Sequence, residues 1–96
     1  MKSIYEKSDE IVKDLFNQGY KSWGQNMKLM EQPENAPLIG VKRNQYVMYW
    51  EFKKNDSIVT IYYIFDKYHN PVLPRDADYI HIYYEIENKL VCLQDT

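Results

Sequence analysis

The chain has one cysteine, three glycines and no long apolar run among its 96 residues. A lone cysteine, Cys92, excludes an intramolecular disulfide, and small secreted domains usually depend on such bridges. Three glycines leave little material for a phosphate-binding loop, and no stretch approaches the roughly 20 apolar residues of a membrane span. The N-terminal residues lack the apolar core of a signal peptide. We therefore expect a soluble cytoplasmic protein without a membrane partner.

An excess of positive charge is also missing, because 12 basic residues stand against 14 acidic ones and the net charge is −2. Proteins that bind duplex nucleic acid usually cluster lysine and arginine on one surface, where these residues release counterions from the phosphates. The acidic residues are dispersed as well, so no run imitates the charge of DNA. Duplex nucleic acid is therefore not an expected partner.

Catalytic and cofactor-binding motifs are absent from the sequence. It contains no GxSxG, P-loop, GxGxxG, CxxC or HExxH pattern, and its two histidines, His69 and His81, are far apart. Cys92 with His81 as its base is a conceivable nucleophilic pair, but a lone cysteine in a strand is usually a small buried hydrophobe. We predict no cofactor, no metal site and no catalytic residue, which favours a binding protein over an enzyme.

The N-terminal segment has the pattern of an amphipathic helix. Apolar residues recur at helical spacing at Ile4, Ile11, Val12, Leu15 and Phe16. Ser3 and Glu6 have the spacing of a capping box, and Gly19 is suited to the left-handed conformation that ends a helix. The sequence therefore predicts a helix over about residues 4–18.

The rest of the chain predicts a sheet. Residues 20–37 mix apolar side chains with Gly24, Asn26 and Pro33, which indicates a connector or a short extra element. Residues 38–41 are a short candidate strand. Four later segments are rich in β-branched and aromatic residues and are separated by turn residues: 45–53, 58–66, 79–86 and 89–94. We predict one α+β domain over residues 1–96, with the N-terminal helix on one face of a four- to five-stranded antiparallel β-meander spanning 38–94.

Alternation along the strands divides this sheet into two faces. The helix face is apolar and consists of Tyr46, Met48, Trp50, Phe52, Val59, Ile61, Tyr63, Phe65, Ile80, Ile82, Tyr84, Ile86, Val91 and Leu93. The tyrosine face consists of Val47, Tyr49, Glu51, Lys53, Ile58, Thr60, Tyr62, Ile64, Asp66, Tyr79, His81, Tyr83 and Glu85. One helix covers only one face, so the tyrosine face is either exposed or covered by residues 20–44.

The tyrosine face holds the candidate binding residues. Tyrosine buries a large ring at low entropic cost while its hydroxyl forms hydrogen bonds, and it is enriched at interface centres. The candidates are Tyr49, Tyr62, Tyr79 and Tyr83 as anchors, with Glu51, Glu85 and His81 giving polar specificity. Two other interpretations stay open, because the tyrosines could merely stabilise the sheet as cross-strand pairs or could form a homodimer.

These features favour a small protein-binding module that inhibits another protein, of the immunity protein, antitoxin or phage anti-defence type. The abundance of Lys, Asn, Ile and Tyr is typical of low-GC bacteria and their phages. An alternative is a small-ligand or nucleotide-binding protein, or a modest enzyme, that uses the long 66–81 loop. Its ligand site would consist of His69, Arg75, Asp76 and Asp78, since histidine beside carboxylates supports acid–base chemistry. A structural subunit of a larger assembly is a third class.

Overall fold

The computed structural model describes residues 2–36, 38–68 and 70–93. Within these ranges the elements are α1 (Ile4–Asn17), β1 (Lys21–Met30), β2 (Tyr46–Lys54), β3 (Ser57–Phe65), β4 (Tyr79–Tyr84) and β5 (Lys89–Leu93), with a short 3₁₀ helix (Pro74–Asp76) before β4. All five strands are antiparallel and lie in the order β1-β2-β3-β4-β5. The predicted fold class, an N-terminal helix with an antiparallel meander, is confirmed. In the described part of the chain, no helix has the length and apolar character to span a membrane.

Helix α1 begins and ends close to the predicted positions. The Ser3 hydroxyl accepts a hydrogen bond from the backbone N–H of Glu6 at 3.2 Å, which satisfies one of the free amides of the first turn. At the other end Gly19 has φ +99°, and the N–H of Tyr20 donates to the Leu15 carbonyl at 3.0 Å. The helix buries one side and contacts β4 and β5, so it covers the helix face of the sheet.

The helix face forms the main core, as the alternation predicted. Its fully buried members include Met48, Phe52, Val59, Ile61, Tyr63, Phe65, Ile80 and Ile82, which pack with Ile4, Val12 and Leu15 of α1. Ile86 is an exception: it was predicted on this face but is 65% exposed. Strand β4 ends at Tyr84, and Ile86 lies in the turn that leads to β5.

Residues 20–37 were predicted to be a connector or a short extra element, and the structure shows an element, because residues 21–30 form strand β1. This strand pairs with β2, but its register shifts twice, between Ser22 and Gly24 and between Asn26 and Met30. The first shift inserts one extra residue, which moves the following side chains to the opposite face, and the second inserts two, which interrupts the pairing. The apolar residues of β1 therefore do not alternate regularly. The sheet therefore begins at residue 21 and not at 38.

The predicted short strand over 38–41 is also wrong. Residues 38–40 lie in a turn, in which the N–H of Ile39 donates to the Asn35 carbonyl and the N–H of Val41 donates to the Ala36 carbonyl. Gly40 has φ +76°, which no residue of a regular strand adopts. The backbone amides of Leu38, Ile39 and Val41 thus donate within the segment and not to a neighbouring strand.

Candidate functional site

Residues 35, 36 and 38–41, the covering segment, lie over one half of the tyrosine face. Ala36, Ile39 and Val41 form a second buried cluster with Val47, Tyr62 and Ile64 of the sheet, with Met30, Tyr49, Tyr83 and Leu90 packed at its margin. Ile39 is fully buried, although it lies in a turn. The tyrosine face is therefore neither fully exposed nor fully covered, and only its uncovered half is available to a partner.

His81 fastens the covering segment to the sheet. Its Nδ1 lies 2.7 Å from the carbonyl oxygen of Ile39, and since a carbonyl only accepts, Nδ1 carries the hydrogen. Gly40 follows directly, and a Cβ atom built on it would lie 3.1 Å from Cε1 of His81. His81 was predicted to give binding specificity, but in the structure its side chain holds the turn at Ile39 against the sheet.

Gly40→Ala should lower the free energy of unfolding by about 1–3 kcal/mol, because a Cβ is strained at positive φ and also presses on the His81 ring. The measurement is urea unfolding of both proteins. Gly24→Ala is the matched control, since its added Cβ meets only Glu51 Oε1, at an ordinary 3.8 Å. A loss of equal size in the two variants would contradict this account of Gly40.

Tyr62 is buried beneath the covering segment. It is 7% exposed, and its hydroxyl accepts a hydrogen bond from Asn35 Nδ2 at 3.3 Å. Desolvation raises the pKa of the Tyr62 phenol, and the negative charges of Glu51 and Glu85 raise that pKa further. Tyr62 is therefore a neutral element of the second cluster, whose surroundings carry a negative potential. It is not positioned as an exposed anchor.

The other predicted anchors differ in exposure. Tyr49 is partly buried, with its ring centroid 6.4 Å from that of Tyr62. Tyr83 is also partly buried, and its hydroxyl donates to Asn88 Oδ1 at 2.7 Å. Tyr79 is 39% exposed but pairs with Ile64, at the opposite end of the face from the uncovered half. The uncovered half therefore contains Tyr49 and Tyr83 but not Tyr79.

Trp23 adds the largest exposed side chain to this surface. It lies in the first bulge of β1, is 62% exposed, and has Nζ of Lys53 4.3 Å from its ring centroid. Cation–π contacts of this kind hold both side chains in place. The binding prediction did not include Trp23, although a glycine beside it, Gly24, is a frequent sign of a bulge in a strand.

We call the uncovered surface the open patch. It is defined by Trp23, Tyr49, Glu51, Lys53 and Tyr83. Tyr49, Glu51 and Lys53 are alternate residues of β2, and Tyr83 lies two strands away across Thr60. Of the predicted polar residues, Glu51 belongs to this patch, whereas Glu85 is exposed in the turn after β4. The patch combines aromatic rings with single charges of both signs.

The alternative ligand site is not assembled in the described chain. Arg75 and Asp76 are exposed in the 3₁₀ helix, whereas Asp78 Oδ2 accepts a hydrogen bond from the backbone N–H of Asp66 at 2.8 Å. Asp78 therefore closes the loop against the end of β3. His69 lies outside the described residues, and within them no group of three or more His, Cys, Asp or Glu could hold a metal ion.

The long loop does border a groove of about 410 Å³, but that groove has a different lining. It is lined by Met27, Lys28, Leu29, Met48, Tyr68, Asn70, Pro71 and Val72. Arg75, Asp76 and Asp78 are not among these residues, so the charged side chains predicted to meet a ligand do not face it.

Cys92 is exposed, contrary to the expectation of a small buried side chain. It lies on the edge strand β5, directly opposite His81 in the register. The described residues show no hydrogen bond between His81 and Cys92, so the pair is not arranged as nucleophile and base.

Comparison with known proteins gives no relative, since no family model, no curated protein and no solved structure matches this chain. The functional interpretation therefore depends on the chain's own geometry. Chemically, the open patch can bury aromatic rings against a second surface while its charged groups form ion pairs at the margin.

Proposed function

We propose that this chain is a small cytoplasmic protein-binding module that inhibits another protein, and that it binds through the open patch. The observation that carries the proposal is Trp23, which is 62% exposed and has its ring beneath the ammonium group of Lys53, a residue of the tyrosine face. Tryptophan and tyrosine are enriched in binding hot spots, and charged groups usually lie at the rim of an interface.

The position of Trp23 supports binding more strongly than the tyrosines alone. Tyr62 and His81 are committed to the covering segment, so their role in the fold explains them. Trp23 is in contact with Lys53 but 62% of its surface is exposed, and burying that surface in a complex would contribute favourable free energy at about 25 cal/mol per Å². A solvent-exposed tryptophan has no comparable value for the stability of the monomer.

Inhibition is the form of binding that best fits the remaining features. Small size and mild acidity are shared by immunity proteins, antitoxins and phage anti-defence proteins, and the composition is typical of bacteria and phages with low GC content. Such a protein acts by occupying a surface that its target needs. The proposal therefore concerns a protein target and not a small substrate.

Trp23→Ala should weaken binding of the partner at least tenfold, because truncating a central hot-spot residue costs about 2 kcal/mol or more. The partner is first captured from the native host with the original chain, and affinity is then measured by calorimetry. Tyr68→Ala is the matched control: Tyr68 is 63% exposed, also aromatic, and packs against Tyr46 of the helix face. We expect this control to bind like the original chain.

Equal affinity of the original chain and the Trp23→Ala variant would overturn the assignment of the open patch. Sedimentation velocity tests whether the open patch instead binds a second copy of this chain. A dimer of the original chain that dissociates in the Trp23→Ala variant would make the patch a homodimer surface, as the sequence also allowed, and would contradict the proposal of an inhibitor.

A further inference from the structure

A pocket lies at the margin between the covering segment and the open patch. Its volume is about 210 Å³, and it is lined by Pro33, Asn35, Tyr49, Glu51, Thr60 and Tyr62. Small-molecule sites usually enclose about 300–1,000 Å³. This pocket is therefore too small for a nucleotide and is suited to one side chain of a protein partner.

The pocket contains a carboxylate without a partner. Glu51 is partly buried, and within the residues that the structure describes its carboxylate has neither an ion pair nor a hydrogen bond. The nearest lysine on its own strand face, Lys53, is directed over the Trp23 ring. On the side of β1 the neighbour is Gly24, which has no side chain to cover the carboxylate.

The potential inside the pocket favours a cation. Burial is the main cause of the raised pKa of the Tyr62 phenol, and the charges of Glu51 and Glu85 raise that pKa as well. A partly desolvated carboxylate interacts with a cation more strongly than an exposed one does. A basic group entering the pocket would thus meet a negative charge that no residue of the described chain neutralises.

The aromatic wall discriminates between basic groups. The Tyr49 and Tyr62 rings stand 6.4 Å apart at 50°, and Tyr49 is the more exposed of the two. A guanidinium is planar, stacks on an aromatic face and donates two parallel hydrogen bonds to a carboxylate, whereas an ammonium is a compact point charge. Tyr49 beside Glu51 therefore offers a better fit to arginine than to lysine.

We infer that the pocket receives an arginine side chain of the protein partner, with its guanidinium paired to Glu51 and stacked on Tyr49. This inference rests on the proposed function and names the chemistry that the partner presents. Arginine is itself enriched at binding hot spots, often opposite aromatic residues. Trp23 and the pocket would then form adjacent parts of one interface, the first apolar and the second charged.

The test uses the full chain and the blocked tripeptide acetyl-Gly-Arg-Gly-amide, observed by two-dimensional NMR of backbone amides. We expect saturable shifts at Tyr49, Glu51 and Thr60. Glu51→Gln should weaken the binding about tenfold or more, because it removes the charged member of a hydrogen-bonded pair. Tyr49→Leu should weaken it as well, since it removes the ring but keeps an apolar side chain.

Two controls make the result specific. Glu85→Gln removes an exposed carboxylate that does not line the pocket and acts on it only from a distance, so it should weaken the peptide affinity much less than Glu51→Gln does. The citrulline tripeptide, which has the shape of arginine without its charge, should not saturate the pocket residues. Shifts that stay linear with peptide concentration, or equal effects of Glu51→Gln and Glu85→Gln, would overturn the inference.

Failure of this inference is distinguishable from failure of the proposed function. If the arginine peptide does not bind but Trp23→Ala still abolishes capture of the partner, the pocket assignment is wrong and the open patch stands. If the peptide binds as expected but Trp23→Ala has no effect on the partner, the pocket is an arginine site and the proposed interface is wrong.

Discussion

Replacing Phe52 by alanine is expected to lower the free energy of unfolding by about 3–5 kcal/mol, because it opens a cavity at the centre of the main core. Phe52 is fully buried on β2, and its ring lies 5.5 Å from that of Phe16 and 4.6 Å from that of Trp50. Domains of this size have a total stability of about 5–15 kcal/mol, so the variant loses a large fraction of it. Urea unfolding measures the loss as a lower midpoint at an unchanged slope.

Phe16→Ala is the control for this experiment. Phe16 makes the same kind of edge contact from the helix, but it is 45% exposed, so its removal leaves a site that water can fill. We expect Phe16→Ala to lower the free energy of unfolding by about 1 kcal/mol, the usual contribution of an aromatic pair. If Phe52→Ala leaves too little folded protein to measure, Phe52→Leu gives the same comparison with a smaller cavity. Similar losses for Phe16→Ala and Phe52→Ala would show that Phe52 is not central to the core.

The elements that were predicted well carry a local pattern. In α1 one apolar stripe follows the helical period, and in β4 buried residues alternate with more exposed ones. Strands β2 and β3 are marked by dense β-branched and aromatic residues, and residues 59–65 of β3 are buried on both faces. These features can be recognised without knowledge of the neighbouring elements. For the same reason the helix face was identified almost completely, with Ile86 lost only because β4 ends before it.

Strand β1 has no such pattern for a physical reason. It is an edge strand that pairs only with β2, and its two bulges interrupt the alternation at Trp23 and again before Met30. A bulge also discourages pairing of the free edge with another chain, which is useful for a polar strand of ten residues. The bulges that protect the edge also break the alternation of the sequence. For this reason local periodicity predicts neither strand β1 nor the exposure of Trp23.

The candidate site was predictable only in part. Alternation placed Tyr49, Tyr62 and Tyr83 on one face, which the register confirms. Their exposure depends on whether Ile39, in a distant turn, packs on that face. No local pattern reports such a contact, because it depends on two segments meeting in space.

Ile39→Ala is expected to lower the free energy of unfolding by about 2–5 kcal/mol, the usual range for removing most of a buried aliphatic side chain. Ile39 is fully buried between the covering segment and the sheet. Its loss should also release the segment locally, so the backbone amide of Val41, which donates to the Ala36 carbonyl at 2.9 Å, should exchange with solvent faster. Urea unfolding measures the first effect and amide hydrogen exchange the second.

Leu38, the residue before Ile39, provides the control. It shows whether the effect of Ile39→Ala comes from the burial of the side chain or from its position in the covering segment. Leu38 is 70% exposed in the same turn, so Leu38→Ala should change stability by no more than about 0.5 kcal/mol. If both variants are equally stable, the covering segment does not pack on the sheet as described. In that case Tyr62 and His81 would be exposed on the tyrosine face, and the binding surface would be as large as the sequence alone allowed. The pair of variants therefore decides how much of the face a partner can reach.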